Sequence, residues 1–362
     1  QDTSSAASDV YKRQDKWRLM LKETNADIVV ISTDWDTHGI MAIETMKNNM
    51  HAFVEVPLAN TIKELWEIVN TSEKFQKHCM MMENVNYGRE ELMFLNICRK
   101  GLLGELYHGE AAYIHDLRWQ MYEEEIGTGS WRTLQYEKKK GNLYPTHGLG
   151  PVSQYMNLLR TEDTFKSLIS FSSPALGREK FARENFKENH KWNKLNYQNG
   201  DINTTVIKTY LGRTIMVQWD ETSPRPYTRL NLIQGTKGIL AGGPTRAAFD
   251  NGFEGYTKDA EEWIIGKGID ALYEKYDHPM YKRLNKITQD SGHGGMDGMM
   301  VYRIIECLRK GEPLDQNVYE GCAWSSLIEL TSNSVNNNGQ PQDFPDFTRG
   351  NWLNTNTFDI IP

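Results

Sequence analysis

The sequence predicts an α/β protein in two parts: a parallel sheet with helices on its faces, then an α+β unit built on a large mixed or antiparallel sheet. Three observations carry this. Short apolar runs alternate with helical periods between residues 15 and 87, and such alternation with short connections makes parallel strands. The run ADIVVIST (26–33) is almost continuously apolar, as a strand covered on both faces should be. Beyond residue 160, stretches rich in Thr, Val and Ile follow one another at hairpin spacing, which favours antiparallel pairing. A length of 362 residues suggests about two domains.

Taken in order, DKWRLMLKET (15–24) reads as the end of a helix and ADIVVIST as the first strand. WDTHGIMAIETMKNN places Ile40, Ile43 and Met46 at a helical spacing. HAFVEV (51–56) is a strand, TIKELWEIVNTSEKF a helix and KHCMMME (77–83) a third strand. REELMFLNICRKGLLG is a strongly amphipathic helix stopped by glycine, and it feeds a long strand, GELYHGEAAYIHDLR. Strands follow at TFKSLISFSS (164–173), NTTVIKTYL (203–211), RTIMVQWDET (213–222) and TRLNLIQGTKGILAG (228–242), with helices expected at 257–266, 298–310 and 319–332. Residues 336–362, rich in Asn, Pro and Asp, read as an extended surface tail. The opening QDTSSAASDVYKRQ (1–14) has no apolar signal core and no helix or strand period, so it reads as a non-native or disordered leader. The folded pattern starts abruptly at Asp15, as if the parallel unit were truncated at its N-terminus. The expected division is therefore 15–87, 88–335 and 336–362.

Composition removes several classes of function. Hydrophobic residues make up 39 % of the chain, with 10 Trp, 17 Tyr and 12 Phe, enough to build a core and too much for a disordered chain. A net charge of −7 argues against a nucleic-acid partner, which requires a basic face. No run of eighteen apolar residues occurs, so no membrane-spanning helix is expected. Cys79, Cys98, Cys307 and Cys322 lack paired spacing and read as free core thiols rather than a disulfide frame or zinc site. There is no internal repeat and no metal-ligand cluster.

Parallel sheets bind ligands at the carboxyl ends of their strands, which points to 33–38, 55–57 and 83–87. Trp35, His38, Glu55, Val56, Asn84 and Tyr87 lie there. Taken singly they are cap or turn residues; together, on one edge of one sheet, they make a ligand-binding edge. The strand–GxGxxG–helix turn that would cradle a pyrophosphate is absent: GTGSWR (127–132) follows no strand, and GHGGMDG (292–298) reads as a helix lead-in. The stretch GNLYPTHGLGPV (141–152) is either a structural turn or a substrate-facing elbow. Histidine titrates near neutrality, Pro145 fixes the backbone between Tyr144 and His147, and Gly148 and Gly150 are expected to let the chain approach a ligand closely. His78, His108, His115 and His190 show no partner and are read as structural or solvated.

The pieces STDWDTH, FVEVPLA, MENVNYGRE, GELYHGEAAYIHDLRW and GNLYPTHGLGPV resemble the Gfo/Idh/MocA oxidoreductase superfamily. More narrowly, the chain from about residue 15 onward is similar to glycoside hydrolase family 109, the NAD-dependent α-N-acetylgalactosaminidases. The resemblance implies that the parallel unit is of the Rossmann type and that Trp35, Asp36, Thr37, His38, Glu55, Val56, Asn84 and Tyr144 contact NAD. It further implies that Tyr113, Arg132, Tyr227 and the run Tyr144, Pro145, Thr146 and His147 line a sugar site, with His147 and Tyr144 catalytic and no metal. The implied reaction oxidises the sugar at C3, eliminates the C1 substituent, adds water with retention and reduces C3 again. Three departures stand out. Val56 occupies the place of the superfamily lysine, which speaks against an ordinary sugar dehydrogenase. Asp34 stands where proline is usual. The glycine loop and the acidic residue for the adenosine ribose are missing. A sugar dehydrogenase and a sugar-binding fragment without turnover are the alternatives. A free or glycan-bound α-GalNAc substrate and a homodimer through an exposed sheet face complete the expectation, with location left open.

Overall fold

The computed structural model describes residues 16–125 and 129–356, so the leader expected over 1–14 lies outside the described residues. A short helix α1 (Lys16–Glu23) precedes three strands joined by two helices: β1 (Ile28–Ile31), α2 (Trp35–Lys47), β2 (His51–Val54), α3 (Ile62–Phe75) and β3 (Cys79–Met81). The strands form a parallel sheet in the order β1-β2-β3. Thr61 starts α3 with a capping box, its hydroxyl accepting from the Glu64 N–H while the Glu64 carboxylate accepts from the Thr61 N–H, so two donors that the first turn leaves open are satisfied.

Next come α4 (Arg89–Arg99), β4 (Leu106–Ile114), α5 (Trp131–Lys138), α6 (Thr146–Tyr155), β5 (Phe165–Ser172), α7 (Gly177–Asn185), β6 (Asn203–Thr209), β7 (Thr214–Asp220), β8 (Leu232–Gly235), β9 (Gly238–Ala241) and β10 (Arg246–Phe249). Helices α8 (Lys267–Tyr276), α9 (Pro279–Thr288), α10 (Met296–Lys310) and α11 (Val318–Asn336) follow, and β11 (Gln342–Asp343) ends the series. The second sheet has eight strands in the order β10-β9-β8-β4-β7-β6-β5-β11. Among the described residues only the β4–β7 pair of this sheet is parallel; the other neighbours are antiparallel, as the hairpin spacing implies. Both parts share one apolar core, which runs from Ile31 to Phe347.

Four expectations are corrected. β1 is not covered on both faces: it is an edge of its sheet among the described residues, and Val30 is 56 % exposed. The helix expected over 257–266 is absent. There Ile264 is buried and exchanges backbone hydrogen bonds with Ala247, while Trp263 and Ile265 are exposed, an alternation of period two that marks extended chain; the helix begins at Lys267, after Gly266 at φ 51°. The tail is not simply a surface run: β11 pairs with β5, and Phe347 is fully buried against Trp66, ring centroids 4.8 Å apart. Finally, Gly148 and Gly150 face protein. A Cβ on Gly148 would lie 2.4 Å from the Ala112 nitrogen, and one on Gly150 would lie 3.1 Å from Glu83 Cγ. They seat α6 directly on β4 and on the end of β3.

Because the atoms facing Gly148 are β4 backbone, they cannot move aside. Gly148→Ala should cost about 2–3 kcal/mol, the usual scale of overpacking, read as a lowered midpoint in denaturant unfolding at an unchanged slope.

Candidate functional site

Three strand ends and the first turn of α6 converge. Past β3, Glu83 is fully buried; its Oε1 accepts from His147 Nδ1 at 2.6 Å and from the Val85 N–H at 3.2 Å. A carboxylate can only accept, so Nδ1 is the donor, and in the neutral imidazole Nε2 is then the nitrogen with the free lone pair. α6 begins at Thr146, and its first turn sets the imidazole between Tyr144 and Tyr113, ring centroids 4.9 and 5.3 Å away. Trp35, from the end of β1, stacks on Tyr144 at 5.6 Å and 29°. β4 delivers Tyr113 on its inward face, opposite Trp219 of β7.

Arg132, at the start of α5, places its guanidinium over the rings of Tyr144 and Trp35 at 5.1 and 5.2 Å. It pairs with the fully buried Glu221 at 3.5 Å, which also accepts from the Tyr136 hydroxyl. Burial is the largest influence and works against the charge on Arg132, but Glu221 and the hydroxyls of Tyr144, Tyr113 and Tyr136 together outweigh it and keep the group protonated. Burial pushes Tyr144 well above the ordinary phenol range; burial first and then Glu221 push Tyr113 the same way. Both hydroxyls therefore keep their protons near neutral pH and serve as donors. Glu55, at the end of β2, is raised by burial, then by Glu83 and Asp297, with His147 opposing.

The remaining candidates divide. Tyr227 is half exposed and stands edge-on to Tyr113 at 6.0 Å and to His115 at 5.0 Å. Pro145 and Thr146 start α6 behind the ring cluster, and the buried Thr146 hydroxyl has no partner. Val56 is buried in the core. Of the Trp35–His38 run, only Trp35 joins the rings. Asp36 accepts from Asn60 and Gln135; burial opposes its ionisation, but Gln135, Lys139 and Lys138 hold it below the usual carboxylate range. The Thr37 hydroxyl bonds Thr33 and the Asp34 carbonyl, and His38 is buried with its ring nitrogens on the carbonyl oxygens of Pro57 and Thr33. Asn84 closes β3 and donates to Asp297 at 2.6 Å.

Several partners were not foreseen. His115, read as unpartnered, meets the Tyr113 hydroxyl at 3.0 Å. His190 pairs with Glu124, His108 with Thr214, and the His78 N–H donates to His51. The site roles of Glu83, Glu221 and Asp297 rest on His147, Tyr136 and Asn84, all far away in sequence; a glutamate two residues past the buried CMM strand is a local signal for the first of them. No group of three or more metal-ligating side chains occurs among the described residues, and no described helix is long and apolar enough to cross a membrane.

Family models, curated proteins and solved structures all show relatives. Residues 87–354 match the family described as glycosyl hydrolase 109, C-terminal domain, and residues 2–83 match an oxidoreductase family with an NAD-binding Rossmann fold. Glycosyl hydrolase family 109 protein 1 of Akkermansia muciniphila is 58 % identical over 97 % of this chain and 73 % of its own length. A family 109 protein of Shewanella sp. is 56 % identical over 97 % and 76 %. In fold the chain is similar to levoglucosan dehydrogenase in complex with NADH and levoglucosan, with a TM-score of 0.67 at 15 % identity over 95 % of this chain and 88 % of that one. An inositol dehydrogenase homolog of Azotobacter vinelandii complexed with NADH and myo-inositol gives 0.57 at 15 % identity over 91 % and 81 %. NAD is thus the cofactor of the matched domain. The residues present fit such a group: Asn84 Oδ1 and Glu83 Oε2 are buried at the strand edge without a hydrogen-bond partner, as acceptors awaiting a ligand would be. No glycine-rich turn between strand and helix offers a pyrophosphate cradle among the described residues.

The raised Glu55 carboxyl has a consequence for stability. A group whose folded pKa exceeds its unfolded value of roughly 4.3 stabilises the fold fully only below that value, and the contribution is lost as pH rises through the folded pKa. Glu55→Gln should therefore unfold at a higher temperature than the parent at neutral pH, and the gap should close toward pH 4. A gap that widens on acidification would mean that Glu55 is stabilised as the carboxylate.

Proposed function

The chain belongs to glycosyl hydrolase family 109, and on that premise we propose that it removes terminal α-N-acetylgalactosamine with retention, by transient oxidation of the sugar at C3. The observation that carries this is the Glu83–His147 contact. Hydrolysis without redox chemistry needs two carboxyl groups astride the glycosidic bond, but Glu83 is fully buried and turned onto His147 Nδ1 and the Val85 N–H. It serves a base rather than the sugar.

NAD, when bound, supplies hydride acceptance from C3 and its later return, so no net oxidation results. His147 Nε2 takes the proton of the C3 hydroxyl, and Glu83 stabilises the imidazolium formed. With C3 a ketone, the C2 proton becomes acidic; its removal drives out the C1 substituent, which leaves with a proton. Water then adds at C1, C2 regains a proton, and His147 gives one back to the C3 oxygen. Tyr144 and Tyr113 donate hydrogen bonds to sugar oxygens, and Arg132 holds a hydroxyl or the acetamido carbonyl through its fork of donors. Tyr227 offers a ring face at the rim. Val56 supplies no amine where a simple dehydrogenase would use lysine.

The outward face of the eight-stranded sheet bears Ile169, Phe171 and Val206, all exposed, on adjacent strands in register. That patch supports association of two copies through this face. Val206→Glu should shift the mass measured by light scattering from dimer to monomer; a parent chain that is already monomeric would dispose of the idea.

The main test follows aryl release from p-nitrophenyl α-N-acetylgalactosaminide with NAD⁺ present, recording 340 nm absorbance in parallel. Release without NADH build-up is expected. His147→Ala should lower kcat by about 10³-fold and Glu83→Gln by about 10²-fold, the scale of a lost or weakened general base. Steady NADH accumulation with free sugars and no aryl release would instead assign a dehydrogenase, and no turnover of either kind would leave a sugar-binding protein.

A further inference from the structure

Helix α10 is preceded by an unusual turn. His293, Gly294 and Gly295 all have positive φ, at 53°, 67° and 99°, a run that only glycines make inexpensive. The turn carries Asp297 across from the C-terminal region to the end of β3, where its Oδ1 accepts from Asn84 Nδ2 at 2.6 Å. Its other oxygen meets His293 Nδ1 at 2.7 Å. Asn84 is 9 % exposed, and its Oδ1 is buried without a partner.

We propose that Asp297 is a positioning residue for the cofactor: by accepting from Nδ2, it fixes the Asn84 side chain with its oxygen turned to the ligand. The reasoning is one of hydrogen-bonding capacity. A side-chain amide is close to symmetric in shape, and burial alone would let it turn over and present either a donor or an acceptor. A carboxylate has no proton to give, so only the NH₂ end can face Asp297. Asn84 then offers an acceptor, suited to a hydroxyl or amide N–H of NAD. His293 holds the second carboxylate oxygen and keeps the first aimed at Asn84. The glycine turn thus serves the nicotinamide end of the site from a segment more than two hundred residues away. This rests on the assignment of NAD as cofactor and adds a residue that neither the strand edge nor the sugar site contains.

The test measures binding of NAD⁺ and of nicotinamide mononucleotide to the full chain by calorimetry, with thermal unfolding alongside. In Asp297→Asn the new amide can accept or donate, so Asn84 is free to turn over. Affinity for both nucleotides should fall about tenfold, the scale of one mismatched buried hydrogen bond, with little change in unfolding temperature. The reciprocal variant, Asn84→Asp with Asp297→Asn, conserves charge and restores a carboxylate–amide pair with an acceptor toward the ligand; it should recover most of the affinity. His293→Ala should weaken binding by no more than about threefold. Unchanged affinity in Asp297→Asn, or a loss that the reciprocal swap leaves in place, overturns the proposal. No binding of either nucleotide by the unaltered chain overturns both the proposal and the cofactor assignment, whereas binding without aryl release challenges only the proposed hydrolysis.

Discussion

A carboxyl group with no exposure needs a hydrogen-bond donor close by, because a buried polar group left unpartnered costs about 1–3 kcal/mol. Glu83 is in that position, and His147 answers it at 2.6 Å. The contact joins the end of the first sheet to the first turn of a helix that belongs to the second, so the two sheets are placed relative to each other by a polar pair and not by apolar packing alone. The glycines of α6 make the pair possible: any side chain at 148 would lift the helix off β4 and carry His147 away from its carboxylate.

A second buried glutamate does parallel work on the opposite wall. Glu221 lies between Arg132 and Arg178, with the Tyr136 hydroxyl donating to it. Glu221 is thus shared between two guanidinium groups, and the charge of Arg132 faces the rings of Tyr144 and Trp35. Charge of this kind, fixed before any ligand arrives, needs little rearrangement to meet electron-rich oxygens.

The legibility of this chain followed the range of its interactions. Periodicity within ten or fifteen residues located the parallel strands, helices α3, α4, α10 and α11, and the hairpins of the second sheet. The same rule failed where a segment takes its shape from a distant partner, as Ile264 does from Ala247 and Phe347 from Trp66. The family resemblance implies site roles for Trp35, Tyr113, Tyr144 and His147, and the fold brings these four rings together. Their supporting acids were not anticipated, because Glu83 and His147 stand 64 residues apart and Asn84 and Asp297 213 apart. Nothing local announces such pairs. His115 was misjudged for a different reason: its partner, Tyr113, is two residues away along one strand, and an extended strand ordinarily sends those side chains along the same face without requiring that they bond.

The C-terminal residues cross the molecule twice. α11 receives the Leu58 N–H on Ser325 and the Ile62 N–H on Glu329, fastening itself to the first sheet and α3. The chain then pairs β11 with β5, buries Phe347 under Trp66 and ties Arg349 to Glu73 and Asn70. Two successive passes bolt the nucleotide-binding part to the large sheet, like a strap drawn round both halves of a clasp. Parting the two halves would break these contacts. Under the proposed reaction the cofactor is restored in place, and a fixed gap between the two halves is then an advantage.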